Sequence, residues 1–370
     1  MKEKSKKVKI SSAVLKDLIE NYGYSIEELA KKLKVPTSKI NDVEMGKEDF
    51  TLNQIKKLSQ IYNIPIAAFF SEDLPYIPEI VDYRVNREKK LNPWIYTSIR
   101  RAQYLANEIE NISGKRSVIP NFSYKSPIQL AEKFRDYLGV ELHQAIKGKK
   151  KIEYYKKLIE EKLNVIVVEY PLKSEDVRAF SLNSKISIVV LNENDNDSIK
   201  LFSLFHEIAH ILRGSPGLCS IDMENSNTDI KEKFCDHFAA EFLVPYDDIS
   251  KVLKSDDFIN GLKSTDSYYK YLDVLVKRYG VSKHVMIIYL LEHGYISKEI
   301  YKNFKDKLDI NKVNKIKFGR KNWEKVYLNR AGNLAIHEVS EAYKKKIISF
   351  YEVIEILDIK SKYATKFMEY

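Results

Sequence analysis

Cysteine is nearly absent from this chain of 370 residues, which has only Cys219 and Cys235. That excludes a disulfide framework and any C-x-x-C metal or redox motif, and it fits a reducing compartment. No apolar run approaches the roughly 18 residues that a membrane helix needs. The start is polar and Lys-rich and lacks the apolar segment of a secretion signal. A cytoplasmic protein with no membrane contact is therefore expected. Internal repeats and long low-complexity tracts are missing too, so repeat architectures are not expected. A chain of this length should form roughly two or three domains.

The most informative segment is Leu204-Phe205-His206-Glu207-Ile208-Ala209-His210-Ile211-Leu212, an H-E-x-x-H pattern inside an apolar run. On a helix, residues four apart share a face, so His206 and His210 can aim both imidazoles at one metal ion. Glu207 sits beside them, where a carboxylate can take a proton from water at the metal. The helix should start with Asp197 or Ser198 as its cap and close at Gly214, with Leu201, Phe202, Leu204, Phe205, Ile208, Ile211 and Leu212 as its buried flank. The plain alternative is a core helix whose histidines merely hydrogen-bond to neighbours.

A third protein ligand separates the two readings, because catalytic zinc usually keeps three. Ile230 to Pro245 is helical by pattern, and Glu232 and Asp236 lie four apart on one face. That pairing suits one carboxylate on the metal and a second hydrogen-bonded to a ligand histidine. A solvated helix face is the alternative for both. His237 lies about 140° round the helix from Glu232 and cannot easily join. Cys235 is one turn from Glu232 and can approach the metal, although a buried free thiol is the simpler reading.

Upstream, Val177–Leu182 and Ile186–Leu191 read as two strands joined at Asn183-Ser184. Either can be an edge strand to which a peptide substrate adds, with Arg178 and Phe180 as its contacts, or the pair is an ordinary hairpin. From Val177 to Pro245 the sequence resembles the ImmA/IrrE family of metallo-endopeptidases: V-R-A-F-S-L, I-V-V-L-N, K-L-F-S-L-F-H-E-I-A-H-I-L, then E-K-F-C-D-H-F-A-A-E-F-L-V-P. The resemblance implies a gluzincin-like site with zinc ligands at His206, His210 and Glu232, the general base at Glu207, and Asp236 where the family often has Asn or Asp. Two departures are Lys200, where many members carry Arg, and Ala179, where many carry Gly. His/His/Glu ligation admits manganese as well as zinc.

Near the start, Val14–Tyr22 is a short amphipathic helix. Ser25 caps the next one, with Glu28 completing a capping box. The pattern S-I-E-E-L-A-K-K-L followed by V-P-T-S-K-I-N-D-V-E-M-G resembles the phage-repressor-like (XRE) helix-turn-helix family. This implies a recognition helix opened by Thr37, Ser38, Lys39 and Asn41, which would meet DNA bases or phosphates. Residues 1–75 hold 13 Lys and no Arg against 11 acids, a net of only +2, and Asp42 and Glu44 oppose phosphate. The arm Lys2, Lys4, Lys6, Lys7 and Lys9 can add attraction. Recruitment of this unit for protein contact is the alternative, and a homodimer is compatible with either.

Ser71 to Arg84 resembles the D-F-R segment that joins the two units in longer family members, with Pro75 and Pro78 marking a linker. Helices are expected over Pro93–Ile109, Ser126–Leu138 and Ile152–Leu163, followed by a strand at Val165–Val168. Past Pro245, Leu275 to Ser297 resembles the winged-helix-like tail of long members. Residues 251–370 hold 24 Lys plus Arg against 15 acids, net +9, whereas residues 76–250 have a net of −1. The basic tail is either a nucleic-acid or acidic-partner surface or simply a Lys-rich solvated one.

The expected architecture is multidomain. It has an all-α helix-turn-helix domain at 1–72, a linker and helical connector at 73–125, an α+β zincin-like metallopeptidase domain at 126–250 and a mainly helical basic C-terminal domain at 251–370. The expected function is a regulatory zinc endopeptidase that cleaves a repressor or antitoxin-like protein and contacts DNA through its first domain. The alternative is a DNA-binding regulator or antitoxin whose zinc domain is sensory or structural.

Overall fold

The computed structural model describes residues 7–62, 64–71, 92–140, 150–174, 177–214, 217–219, 230–265, 267–311 and 322–368. The D-F-R-like segment beyond Ser71, the arm residues Lys2, Lys4 and Lys6, and the Cys219 side chain lie outside what is described.

A small first unit holds β1 (Lys7–Val8), α1 (Ser12–Asn21), α2 (Ile26–Leu33), α3 (Thr37–Glu44), β2 (Phe50–Thr51), α4 (Leu52–Tyr62) and a 3-10 turn at Ile66–Phe70. The expected capping box starts α2: Glu28 N donates to Ser25 Oγ at 3.2 Å, and Ser25 N donates to Glu28 Oε2 at 3.0 Å. Leu15, Leu18, Leu29, Ile40, Ile55 and Leu58 close a core of its own. The strands β1 and β2 pair antiparallel, with Lys7 opposite Thr51.

α5 (Pro93–Ser113) leads out of this unit. Its Arg100 donates to Tyr62 O at 3.0 Å and lies over the Tyr22 ring. There follow α6 (Pro127–Leu138), α7 (Lys150–Leu163), β3 (Ile166–Tyr170), β4 (Ala179–Leu182), β5 (Ile188–Asn192), α8 (Asp197–Leu212), β6 (Gly217–Cys219) and α9 (Ile230–Leu243). The sheet order is β3-β5-β4-β6, with β3 and β5 parallel and the other pairs antiparallel. Strands β3 (I-V-V-E-Y) and β5 (I-V-V-L-N) are buried at every position. Strands buried on both faces need a layer on each.

Those two layers come from distant parts of the chain. Val167, Ala179, Val189 and Leu191 face one core, filled by α6–α9 together with α10 (Tyr246–Val252), α11 (Asp256–Lys263), α12 (Tyr268–Tyr279), α13 (Lys283–Glu292) and α14 (Lys298–Asn311). The alternate residues Ile166, Val168, Phe180, Ile188 and Val190 face a second core. It is covered by α5 and by α15 (Trp323–Ala331), α16 (Asn333–Lys344), α17 (Phe350–Leu357) and α18 (Ser361–Met368). The division expected at residue 250 is thus not a packing boundary, because both halves of 251–370 share a core with the sheet. The helical connector is likewise part of the second core. The reason is the two-faced sheet, which the intervening helices can cover on one side only.

One glycine position marks where the last helices meet the sheet. At Gly332, whose φ is +81°, a Cβ would be strained and tightly placed, 3.1 Å from Val167 O and 3.2 Å from Glu160 Oε1. Buried Glu160 of α7 accepts hydrogen bonds from Asn333 Nδ2 at 3.0 Å, Leu334 N at 3.3 Å and Val167 N at 3.3 Å, joining the start of α16 to β3. Among the described residues, no helix is long and apolar enough to cross a membrane.

Candidate metal centre

The helix α8 is buried from Lys200 to Ile211. Its cap is Asn196, whose Oδ1 accepts from Ile199 N at 3.0 Å, rather than the expected Asp197 or Ser198. A cap must keep an extended backbone, and Asn196 does so at φ −74° and ψ 163° while the next two residues are already helical. Gly214 closes the helix at φ +65°, its N donating to Ile211 O at 3.0 Å. Lys200 reaches Glu169 Oε2 of β3 at 2.6 Å, and Lys156 of α7 reaches Glu169 Oε1 at 3.0 Å. This buried ion triplet ties the helix to the sheet and to α7.

α8 and α9 pack together and bring four predicted residues to one point. His206 Nε2 lies 3.2 Å from His210 Nε2 and 3.2 Å from Glu232 Oε2, and His210 Nε2 lies 3.1 Å from Glu232 Oε1. Asp236 Oδ1 is 2.8 Å from His206 Nδ1. Tetrahedral bonds of about 2.0–2.1 Å to N and O place ligand atoms about 3.3 Å apart, so the observed triangle fits a metal of zinc's size. His206, His210 and Glu232 are all at most 2% exposed.

The local field favours positive charge at this point. Burial lowers the His206 pKa, but the Asp236 and Glu232 carboxylates overcome it and hold the value at about 10. Burial raises the Glu232 carboxyl, yet the His206 and His210 imidazoles hold it far below the usual range. Glu207 is fully buried, and neither of its carboxylate oxygens has a hydrogen-bond partner among the described residues. Burial pushes its pKa up, opposed by His210, His206 and the Ser181 hydroxyl.

Ser181 is the residue that sequence reasoning missed. It shares a strand face with Ala179, which packs in the core of α8, whereas Phe180 points into the second core. The alternation of β4 carried that signal. The expectation that Arg178 and Phe180 mark a substrate-binding edge strand is corrected here. β4 lies between β5 and β6, and β5 lies between β3 and β4, so neither is an edge. Phe180 is 0% exposed in the core behind the sheet, and Arg178 forms an ion pair with Asp195 at 2.7 Å. The three-residue β6, which has no distinctive sequence pattern, occupies the place a substrate strand would need.

The remaining candidates are placed as follows. Cys235 is buried and free, with its Sγ within 4.8 Å of ring nitrogens of His206 and His210. Burial, reinforced by Glu232, pushes its thiol pKa well up. His237 pairs with Glu292 at 3.5 Å, and the Tyr246 ring stacks on His293, so both are engaged at the end of α13. In the first unit, Thr37 and Ser38 are exposed at the start of α3, and Asn41 is half-buried. Lys39 Nζ lies 3.3 Å from Glu48, which also binds Lys7 Nζ at 2.8 Å, so two of the few candidate phosphate contacts are partly neutralised.

A comparison with curated proteins finds no match to the chain. Family comparisons match two segments of the chain. Residues 15–69 match the family described as Helix-turn-helix and residues 160–290 match the peptidase family described as IrrE N-terminal-like domain, so the chain joins a helix-turn-helix unit to a domain of that peptidase family.

Proposed function

We propose that the chain is a regulatory zinc-dependent endopeptidase carried with a DNA-binding domain, hydrolysing a peptide bond in a repressor or antitoxin-like protein to control stress, phage or mobile-element genes. The reading rests on one observation: two imidazole nitrogens and a carboxylate meet at tetrahedral spacing beside the buried carboxylate of Glu207. His206, His210 and Glu232 would hold the cation, and Asp236 fixes the His206 ring with Nε2 turned inward. When bound there, zinc, or manganese in its place, supplies Lewis acidity toward a water and a peptide carbonyl. Glu207 accepts a proton from the attacking water and returns it to the leaving amine. A carboxylate positioned beside the attacking water can do both. Thr37, Ser38, Lys39 and Asn41 would meet DNA.

Purified protein with zinc, incubated with proteins encoded beside its own gene, should cut one of them, and the Glu207→Gln variant should not. No cleavage, or equal cleavage by the variant, rejects the peptidase reading in favour of a regulator whose metal domain is sensory or structural. A gel shift on the DNA upstream of the gene, repeated without residues 1–70, tests the DNA contact.

A further inference from the structure

A sulfur stands close to the two imidazoles of the ligand triangle. Cys235 lies on α9 between Glu232 and Asp236, fully buried, with Sγ within 4.8 Å of ring nitrogens of both His206 and His210. Sulfur and nitrogen on one tetrahedral zinc stand about 3.6 Å apart, given bonds of about 2.3 and 2.0 Å. The thiol is therefore roughly one ångström from ligating distance, less than one χ1 rotamer change moves it. Arg213, just past the end of α8, lies over the neighbouring Phe234 ring at 4.4 Å and pulls the Cys235 thiol pKa down against the burial that pushes it well up. A second observation points to a ligand at this centre: Glu207 is fully buried beside both imidazoles, and neither of its carboxylate oxygens meets a partner at hydrogen-bond geometry among the described residues, the nearby Ser181 hydroxyl included.

We propose that the Cys235 thiol is a fourth ligand that closes the centre in the resting protein and selects a thiophilic divalent cation, such as zinc, cadmium or cobalt, over manganese. The inference rests on the metal-holding part of the reading above. As the sulfur–metal bond forms, the thiol proton leaves to solvent and the position for water is filled. Four protein ligands make a closed site of the structural kind, and three leave the open position that hydrolysis needs. Swinging Cys235 back, with His206, His210 and Glu232 kept in place, converts one into the other. Soft sulfur ligation would favour thiophilic cations, since carboxylate and imidazole alone discriminate weakly.

Cobalt substitution tests this in the full-length protein. Cobalt bound by His206, His210 and Glu232 gives visible d–d bands, and a thiolate ligand adds a charge-transfer band in the near ultraviolet. The wild type should show both, and Cys235→Ser and Cys235→Ala should keep the d–d bands and lose the charge-transfer band. The preference for cadmium over manganese should drop at least about tenfold in the variants, since even outer-sphere partners cost that much. Wild-type d–d bands without charge transfer overturn the thiol ligand and leave the metal centre standing. A charge-transfer band that persists in Cys235→Ser also overturns it. Cobalt that binds neither wild type nor variants overturns the metal centre and the thiol ligand together.

Discussion

Asp236 should govern how tightly the centre holds a cation without touching the cation itself. Its Oδ1 lies 2.8 Å from His206 Nδ1, and the two side chains are 5% and 2% exposed, so water cannot substitute for either partner. In Asp236→Ala the imidazole keeps its place on α8 but loses the acceptor that fixes its tautomer and raises its basicity. Removing such partners costs roughly 10–100-fold in metal affinity, which is about 1.4–2.7 kcal/mol. The loss of a hydrogen bond to a charged group gives about the same range, 1.5–3 kcal/mol. Asp236→Asn keeps an acceptor oxygen but not the charge, and should fall between the two. Zinc competition against a chromophoric chelator at fixed pH measures the loss, with far-ultraviolet circular dichroism to show that the variants fold. A folded Asp236→Ala protein with unchanged zinc affinity would refute the positioning argument.

Three further outcomes follow from the same contacts. The nearby carboxylates hold the His206 pKa at about 10 against the opposing pull of burial, so below that pH an incoming cation must displace a proton. Apparent zinc affinity should then rise about tenfold per pH unit through neutrality, and a flat profile by calorimetry contradicts it. Burial raises the Glu169 carboxyl, but Lys156 and Lys200 pull it below its ordinary value, so its stabilisation is present above the usual carboxylate range and is lost as pH falls. Glu169→Gln strands two buried ammonium groups and should cost about 3–5 kcal/mol in urea unfolding; a neutral effect would mean the triplet contributes nothing net. Glu48→Gln frees Lys39 and Lys7. If the first unit binds DNA, each freed cation that meets a phosphate steepens the salt dependence by about 0.9 in log–log slope, and an unchanged slope in filter binding argues against α3 as the reading helix.

The chemistry of the centre was legible in the sequence because it is written in helical spacing. His206 and His210, like Glu232 and Asp236, are four apart, and each helix carries its pair on one face whatever surrounds it. The capping box of Ser25 and Glu28 was legible for the same local reason. What escaped was long-range. The sheet order, with β6 covering β4, follows from a three-residue strand that no propensity marks. The return of α15–α18 to the far face of the sheet depends on contacts far apart in sequence, 174 positions between Leu334 and Glu160 and 254 between Glu355 and Arg101. Choosing Phe180 over Ser181 needed to know which face of β4 meets α8, and period-two alternation alone leaves that open. The pairing of Lys39 with Glu48 is likewise a contact between separate turns that the charge count could not reveal.

The two-layered sheet also sets an order of events during synthesis. The first unit has its whole core by Phe69 and can fold while most of the chain is still being made. The second core, by contrast, needs residues as far along as Phe367, so the face of the sheet that α5 packs on stays only partly covered until α15–α18 have been made. At ribosomal speeds of about 5–20 residues per second, that gap is roughly 15–60 s. During it, the helix-turn-helix unit would already be folded while the metal-holding half was still unfinished, and a chain cut short between Phe69 and α18 would have the first core without the whole of the second.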